Sequence, residues 1–148
     1  MITEEQCTQK ACLFCASDFH LEMILLPYIK ERIDKDEIII LTENNLEESL
    51  NVLLTKINLS EEDKKKIIEL NWKNRDKIKL EKLRDNRKKR LHIIINGSFN
   101  YIKNINKNIN EIGTNNIEIV DCFHIGDRDV DIGELSQEYR YILNTRKI

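Results

Sequence analysis

The sequence predicts an α/β fold, a three-layer sandwich of Rossmann-like type with a mainly parallel sheet of four or five strands. Short β-branched apolar runs alternate along the 148 residues with longer stretches whose apolar residues recur at helical spacing. The short runs are almost continuously apolar, which is typical of strands covered by helices on both faces. With 41% hydrophobic residues, this length suffices for a single domain, 1–148, and one core.

The predicted strands and helices follow one another in order along the chain. Ser17 or Asp18 can cap the first helix, in which Pro27 is expected to produce a kink because it removes a backbone donor. Asn45 followed by Glu48 resembles a capping box for the second helix. The predicted strands are Ala11–Ala16, Glu37–Thr42, Leu91–Asn96, Ile117–Cys122 and a weaker Tyr139–Asn144, and the predicted helices cover 19–33, 46–57, 60–72, 99–112 and 132–138.

A basic stretch at 73–90 separates the second strand from the third. It holds ten Lys or Arg and three acidic residues, an excess of seven positive charges, with few apolar residues. We therefore expect a solvated helical excursion over about 60–90 rather than a second domain. Trp72 is the only aromatic residue nearby, so the stacking platform of single-strand binders is missing. This disfavours nucleic acid as a partner and leaves open an acidic protein partner.

The overall charge and hydropathy exclude other classes. A formal net charge of −2 gives no general attraction to nucleic acid or to an anionic membrane. The longest apolar runs are a few residues, whereas a membrane span needs about 20. Residues 1–10 are polar and acidic, without the apolar region of a signal peptide. We expect a soluble, cytoplasmic protein that does not interact with membranes.

Polar residues follow each predicted strand at the point where a site is expected. In open parallel sheets, ligands bind at the carboxyl ends of the strands, beside helix N-termini. We therefore expect segments 17–20, 43–45, 96–98 and 122–124 to meet at one end of the sheet and to bind a small molecule. The candidate ligand-binding residues are Cys15, Ser17, Asp18, His20, Glu43, Asn44, Asn96, Gly97, Ser98, Cys122 and His124.

No nucleotide cofactor is expected at this site. The chain contains neither G-x-x-x-x-G-K-[ST] nor G-x-G-x-x-G, and the turn after the first strand has no glycine. Asp18 also places a negative charge at the helix N-terminus, where it repels phosphate. The usual binding of a triphosphate is therefore disfavoured.

The cysteines favour buried thiols over redox or metal chemistry. Cys12 and Cys15 spell C-x-x-C, but within a strand their side chains point to opposite faces. The alternative is a zinc site that the fold would assemble from Cys15, Cys122, His20 and His124, yet they lack the paired spacing of structural zinc sites. We expect no metal ion, and no other cofactor is indicated.

The first third of the chain resembles a known family. Three segments match it, with the sequences KACLFC at 10–15, LLPYIK at 25–30 and DEIIILTE at 36–43. They resemble the MEDS domain, the methanogen/methylotroph DcmR-type sensory domain, which is similar to RecA/KaiC-like cores that lack the phosphate loop. The resemblance covers about 10–55 and implies a non-catalytic module that binds a small ligand, with Cys12 and Cys15 as ligand residues.

Together these observations predict a small-ligand sensory or regulatory protein rather than an enzyme. The absence of a G-x-S-x-G motif agrees with this prediction. One alternative is a small hydrolase or transferase that uses Glu43 or Asp18 with His124, and Cys122 or Ser98 are further possible partners of that histidine. Another is a protein-interaction module that docks through the basic stretch. Self-association into a homo-oligomer is also left open.

Overall fold

The protein folds into a three-layer α/β sandwich around a five-stranded, all-parallel sheet, as the sequence predicts. The computed structural model describes residues 8–73, 89–112 and 116–143. Its strands are β1 Gln9–Cys15, β2 Glu37–Thr42, β3 Leu91–Asn96, β4 Ile117–His124 and β5 Tyr141–Ile142. Their order across the sheet is β2-β3-β4-β1-β5. The first strand is therefore close to the centre of the sheet, between β4 and β5.

The helices of the described residues cover both faces of the sheet. Apolar residues of α1, α2 and α3 pack with Leu13 and Cys15 on one face, and those of α4 and α5 pack with Cys12 on the other. Cys12 and Cys15 thus point to opposite faces, as predicted. The helices are α1 Asp18–Arg32, α2 Glu47–Leu54, α3 Glu61–Ile68, α4 Phe99–Ile112 and α5 Ile132–Leu135, and α5 continues into a 3-10 turn at Ser136–Glu138.

Two of the predicted helix starts are confirmed by their capping bonds. The Ser17 hydroxyl oxygen accepts from the backbone N–H of His20 at 3.1 Å. The Ser60 hydroxyl oxygen accepts from the N–H of Asp63 at 3.1 Å in the same way. Each bond satisfies a donor in the first turn that has no partner within the helix.

One other expectation about the helices is wrong, and one stays a prediction. The capping box at Asn45 does not form, because Leu46 is the N-cap residue of α2 and the Asn45 side chain accepts from the N–H of Glu47 at 2.9 Å. Pro27 lies inside α1, and the kink expected there stays a prediction. This proline is buried, so its ring contributes to the packing of the helix on the sheet.

Five elements differ in length from the predicted ones, among them β1, which begins at Gln9, and α2, which ends at Leu54. β4 extends to His124, so this histidine ends a strand instead of lying in a loop. β5 is confined to Tyr141–Ile142, because its ladder with β1 involves only two residue pairs. α3 ends at Ile68, and the Trp72 indole N–H then donates to the Ile67 carbonyl oxygen at 2.7 Å.

The basic stretch falls almost entirely outside the described residues. Positions 74–88 are not described, so only α3 represents the predicted excursion over 60–90. Throughout the described ranges, no helix has the length and apolar character needed to cross a membrane.

The topology creates two crevices at the carboxyl edge of the sheet. The chain leaves β1 toward the face covered by α1, whereas it leaves the adjacent β4 toward the face covered by α5. The same divergence occurs between β2, which leads to α2, and β3, which leads to α4. Such switch points are where open α/β sheets bind ligands, because the diverging loops leave a gap between them.

Candidate functional site

A row of hydrogen bonds crosses the carboxyl ends of four adjacent strands. The Cys15 Sγ lies 3.5 Å from His124 Nδ1, and His124 Nε2 lies 2.8 Å from Asn96 Oδ1. The Asn96 amide Nδ2 then donates to Thr42 Oγ1 at 3.0 Å. The four residues end β1, β4, β3 and β2, which is the spatial order of these strands. We call them the polar row.

The bonds of the polar row fix its donors and acceptors. Thr42 donates its hydroxyl proton to the Asn44 carbonyl oxygen at 2.6 Å, so its oxygen accepts from the Asn96 amide nitrogen. The Asn96 amide oxygen therefore faces His124, and His124 Nε2 donates a proton to this oxygen. The Cys15 thiol donates to the Phe123 carbonyl oxygen at 3.5 Å, and its sulfur lies 3.5 Å from His124 Nδ1. Both ring nitrogens of His124 are therefore engaged within the row.

The cysteine of the polar row stays protonated at neutral pH. Burial raises the pKa of the Cys15 thiol to about 12, and the negative charge of Asp18 adds to this effect. Cys12, on the other face, has its pKa raised to about 12 chiefly by burial. The thiolate is the nucleophilic and metal-binding form of cysteine, so neither thiol is poised for those chemistries.

The chain's own carboxylates occupy the N-terminus of α4. Glu43 Oε1 accepts from the backbone N–H of Ser98 at 2.8 Å, and Asp127 Oδ2 accepts from that of Phe99 at 3.0 Å. Backbone N–H donors, that of Asp129 first and that of Phe99 second, lower the pKa of Asp127. Because these N–H groups are the usual ligands of a phosphate at a helix start, an anion would meet two carboxylates here.

Gly97 allows Glu43 to reach this helix. A Cβ atom at position 97 would lie 2.9 Å from the Cβ of Glu43 and 2.6 Å from a ring carbon of Tyr101. Both distances are shorter than real Cβ atoms show. A side chain at this position would therefore displace the Glu43 carboxylate from the α4 N-terminus.

The start of α1 supplies further polar groups. The N–H of Ala16 donates to His20 Nδ1 at 3.0 Å, which makes Nε2 the protonated nitrogen of a neutral His20 ring. The Asn44 amide nitrogen lies 3.4 Å from Asp18 Oδ2 and joins the β2–α2 loop to α1. The two crevices are thus linked by a direct polar contact.

Two exposed apolar side chains follow the ends of β1 and β4 along the chain. Phe19, in the first turn of α1, is 44% exposed, and Ile125, which directly follows β4, is 51% exposed. The N–H of Ile125 donates to the Cys15 carbonyl oxygen at 3.0 Å, which holds its backbone beside the end of β1. The β1/β4 crevice therefore combines a polar floor with apolar surface.

All of the predicted site residues except Cys122 lie at the carboxyl edge. Cys122 is fully buried within β4, and its Sγ is directed 3.9 Å from the Val120 carbonyl oxygen. Direct hydrogen bonds join Cys15 with His124, His124 with Asn96, Glu43 with Ser98, and Asp18 with Asn44. Ser17 and His20 meet through the α1 cap, and Gly97 adjoins Glu43.

The acid–base and zinc arrangements considered from the sequence are not formed. The ring nitrogens of His124 contact Cys15 and Asn96, rather than the carboxylates or hydroxyl predicted to pair with this histidine. His20 instead accepts from the Ala16 backbone. Among the described residues, no three His, Cys, Asp or Glu side chains are grouped so that they could hold a metal ion.

Glu22 is a functional candidate that the sequence reasoning missed. It lies in the second turn of α1 with no exposed surface, and neither carboxylate oxygen has a hydrogen-bond partner among the described residues. Burial raises the pKa of Glu22 to about 7, the nearby Ser49 hydroxyl offsets part of this rise, and the charge of Asp18 adds to it. The available signal was one acidic residue within the apolar run from Leu21 to Leu26.

A second polar group, the amino-edge cluster, lies at the opposite end of the strands. Tyr28 donates its hydroxyl proton to Glu118, which also accepts from the Tyr141 hydroxyl at 2.9 Å. His92 Nδ1 lies 2.8 Å from the Tyr28 oxygen, and its Nε2 lies 2.8 Å from Asp36 Oδ2. A cavity of about 90 Å³ adjoins Tyr28 and Tyr141, well below the roughly 300–1,000 Å³ of ligand pockets. This cluster is therefore a structural one.

Comparison of the chain with known protein families, curated proteins and solved structures finds no match. The resemblance of residues 10–55 to the MEDS domain stays a prediction.

Proposed function

We propose that this protein is a non-catalytic sensory or regulatory protein that binds a small ligand at the carboxyl edge of its sheet. The observation that best supports the proposal is the polar row, which spans both switch-point crevices and ends beside the exposed Phe19 and Ile125. Ligands of open parallel sheets bind at such points. A small ligand bound here contacts the loops that follow four strands, so its binding can change the conformation of those loops.

The charges at this edge favour an uncharged or cationic ligand. Glu43 and Asp127 fill the α4 N-terminus, and Asp18 lies in the first turn of α1. These carboxylates repel anions at the two helix starts that would otherwise attract them. Phe19 and Ile125 offer apolar surface beside them, so the ligand has an apolar part as well.

The state of the thiol supports binding rather than catalysis. A nucleophilic cysteine needs a lowered pKa and access for its substrate. Cys15 instead has a raised pKa and no exposed surface. Its sulfur contacts His124 Nδ1, and His124 Nε2 contacts Asn96, so the row joins the ends of three strands.

Thiol-dependent acyl transfer is the second candidate, and one observation favours it. The contacts run from the Cys15 thiol to the His124 imidazole and then to the Asn96 amide. Papain-like sites have their thiol, imidazole and amide in the same order. Brief treatment of the native protein with iodoacetamide at pH 8 distinguishes the two roles. Protection of Cys15 from alkylation, measured by peptide mass spectrometry, agrees with binding, and complete alkylation within minutes agrees with acyl transfer.

Native mass spectrometry of the protein as purified from cells tests the proposed function. We expect an excess over the denatured mass that corresponds to one small organic molecule per chain. Phe19→Asp should abolish the excess, because it adds a charge to the apolar side of the crevice. Val52→Asp is the matched control, since Val52 is 48% exposed and lies in α2. A native mass equal to the denatured one, or equal loss in both variants, would contradict the proposal.

A further inference from the structure

Glu22 is the one carboxylate in the described residues that is buried without any hydrogen-bond partner. The other buried acidic side chains are satisfied, because Glu118 accepts from two tyrosines and Asp121 accepts from Tyr139 and Asn106. Burying a charged group without a partner is costly, so it is normally compensated by a proton or by a bound cation. Nothing in the packing of α1 on the sheet requires a carboxylate at this position.

The surroundings of Glu22 are rich in acceptors. Asp18 precedes it by one helical turn on the same side of α1 and is close enough for its charge to act on Glu22. The Asn44 amide nitrogen is directed to Asp18, which leaves the Asn44 amide oxygen as an acceptor. The Ser49 hydroxyl donates to the Leu46 carbonyl oxygen at 3.2 Å and is also near enough to Glu22 to lower its pKa. The carboxylate oxygens of Glu22 and Asp18 thus outnumber the donors that Ser49 and Asn44 offer them.

A primary ammonium group matches this set of acceptors. It is a compact charge with three donors and no acceptor. Two carboxylates and one amide oxygen can each accept one of its protons. Asp18 is half-buried and Asn44 is exposed, so the acceptors run from the open edge of the sheet inward to Glu22.

We infer that Glu22 and Asp18 bind the ammonium group of a small primary amine, whose apolar part lies against Phe19. This inference rests on the proposed function and specifies the ligand class of the same site. Phe19 follows Asp18 directly in the first turn of α1 and is exposed, so one short amine can reach both. Glu22 releases its proton when the ammonium binds, and the bound cation then compensates the charge of the carboxylate.

Titration with n-butylammonium chloride tests the inference, with n-butanol as the uncharged probe and KCl holding the ionic strength constant. Amide NMR shifts of the whole chain report binding at pH 8, where Glu22 is ionised. We expect the wild type to bind n-butylammonium and not n-butanol. Glu22→Gln should weaken binding about tenfold or more, because it removes a charge-assisted bond. Glu48→Gln, the same change at an exposed position of α2, should leave binding unchanged.

The titration of Glu22 itself provides an independent readout. Saturating n-butylammonium should lower the pKa of the Glu22 side-chain carboxyl, followed by carbon-13 NMR, by about one unit or more, since the bound cation favours the charged form. An unchanged titration, or equal binding by Glu22→Gln and wild type, would overturn the inference. If Glu22→Gln still retains the molecule seen by native mass spectrometry, the inference falls and the proposed function stands. If the wild type neither retains a molecule nor binds n-butylammonium, both fall.

Discussion

The two ends of the parallel sheet each hold a buried polar network centred on a histidine, yet the networks differ in charge and in access. At the amino edge, His92 is 3% exposed, and its ring nitrogens face Asp36 on one side and Tyr28 and Glu118 on the other. At the carboxyl edge, His124 is half-buried between the neutral Cys15 and Asn96.

The surroundings of the two histidines assign them different states. Tyr28 already donates to Glu118, so both nitrogens of His92 face acceptors, which suits the doubly protonated ring. The polar row instead places His124 between two uncharged side chains, Cys15 and Asn96. The amino-edge cluster therefore contains compensated buried charges and contributes to stability. The carboxyl edge leaves apolar surface and an unsatisfied carboxylate, Glu22, next to a neutral network, which is what a ligand site requires.

Removal of the Glu118 carboxylate should have the largest effect on stability. Glu118→Ala leaves the hydroxyls of Tyr28 and Tyr141 without their acceptor and His92 beside one carboxylate instead of two. We expect the free energy of unfolding in urea to fall by about 3–5 kcal/mol, the cost of breaking a buried ion pair. Glu37→Ala, at an exposed position of β2, should change it by less than about 0.5 kcal/mol. If the two substitutions lowered the free energy of unfolding equally, the amino-edge cluster would not be a stabilising element.

The pH dependence of stability should have opposite signs at the two edges. Burial alone would raise the pKa of Glu118, but hydrogen bonds from His92, Tyr28 and Tyr141 outweigh it and lower the pKa from 4.5 to about 2. Its stabilisation is therefore present above pH 4.5 and lost as the pH falls toward 2. Glu22, with a pKa raised from 4.5 to about 7, stabilises the fold below pH 4.5 and loses that contribution as the pH rises through 7.

Two conservative variants separate these contributions, each about 3 kcal/mol in full. Glu22→Gln should remove the loss of stability between pH 4.5 and pH 7, and Glu118→Gln should remove the loss between pH 4.5 and pH 2. Urea unfolding at a series of pH values measures both slopes. A Glu22→Gln variant that keeps the wild-type slope between pH 4.5 and pH 7 would show that Glu22 is already compensated in the folded protein.

A change in the polar row should have the smallest effect on stability. His124→Ala removes one neutral hydrogen bond to Asn96 and one weak bond to Cys15, and the half-buried position lets water replace them. We expect a loss of about 1 kcal/mol in urea unfolding together with loss of the molecule seen by native mass spectrometry. A loss as large as that of Glu118→Ala would instead make the row a structural element.

Most of the fold was predictable because its strands are distinct in the sequence. The apolar runs at β2 and β3 are continuous and β-branched, and both strands have the predicted boundaries. The end of β4 was missed because the sequence at Phe123 and His124 has no feature that separates the end of a strand from the start of a loop. β5 was overestimated because only its two paired residues meet β1, a long-range contact that local propensity does not show.

The site was predictable as a location but not as a network. The rule for parallel sheets placed the loops after β1, β2, β3 and β4 at one edge. Which side chains bond to each other depends on the strand order, which brings Cys15 beside His124 across 109 positions. The burial of Glu22 likewise depends on how α2 packs on α1, so a helix pattern alone assigns it to solvent.

Amide chemical-shift mapping with the molecule released from the purified protein tests the central claim most directly. If the carboxyl edge is the ligand site, the largest shifts should cluster in 16–20, 43–45, 97–99 and 124–126, and those of Tyr28, His92 and Glu118 should stay near their free values. Shifts that cluster at the amino-edge cluster, or in the groove of about 680 Å³ that adjoins Leu54 and Ile68 between α2 and α3, would contradict it.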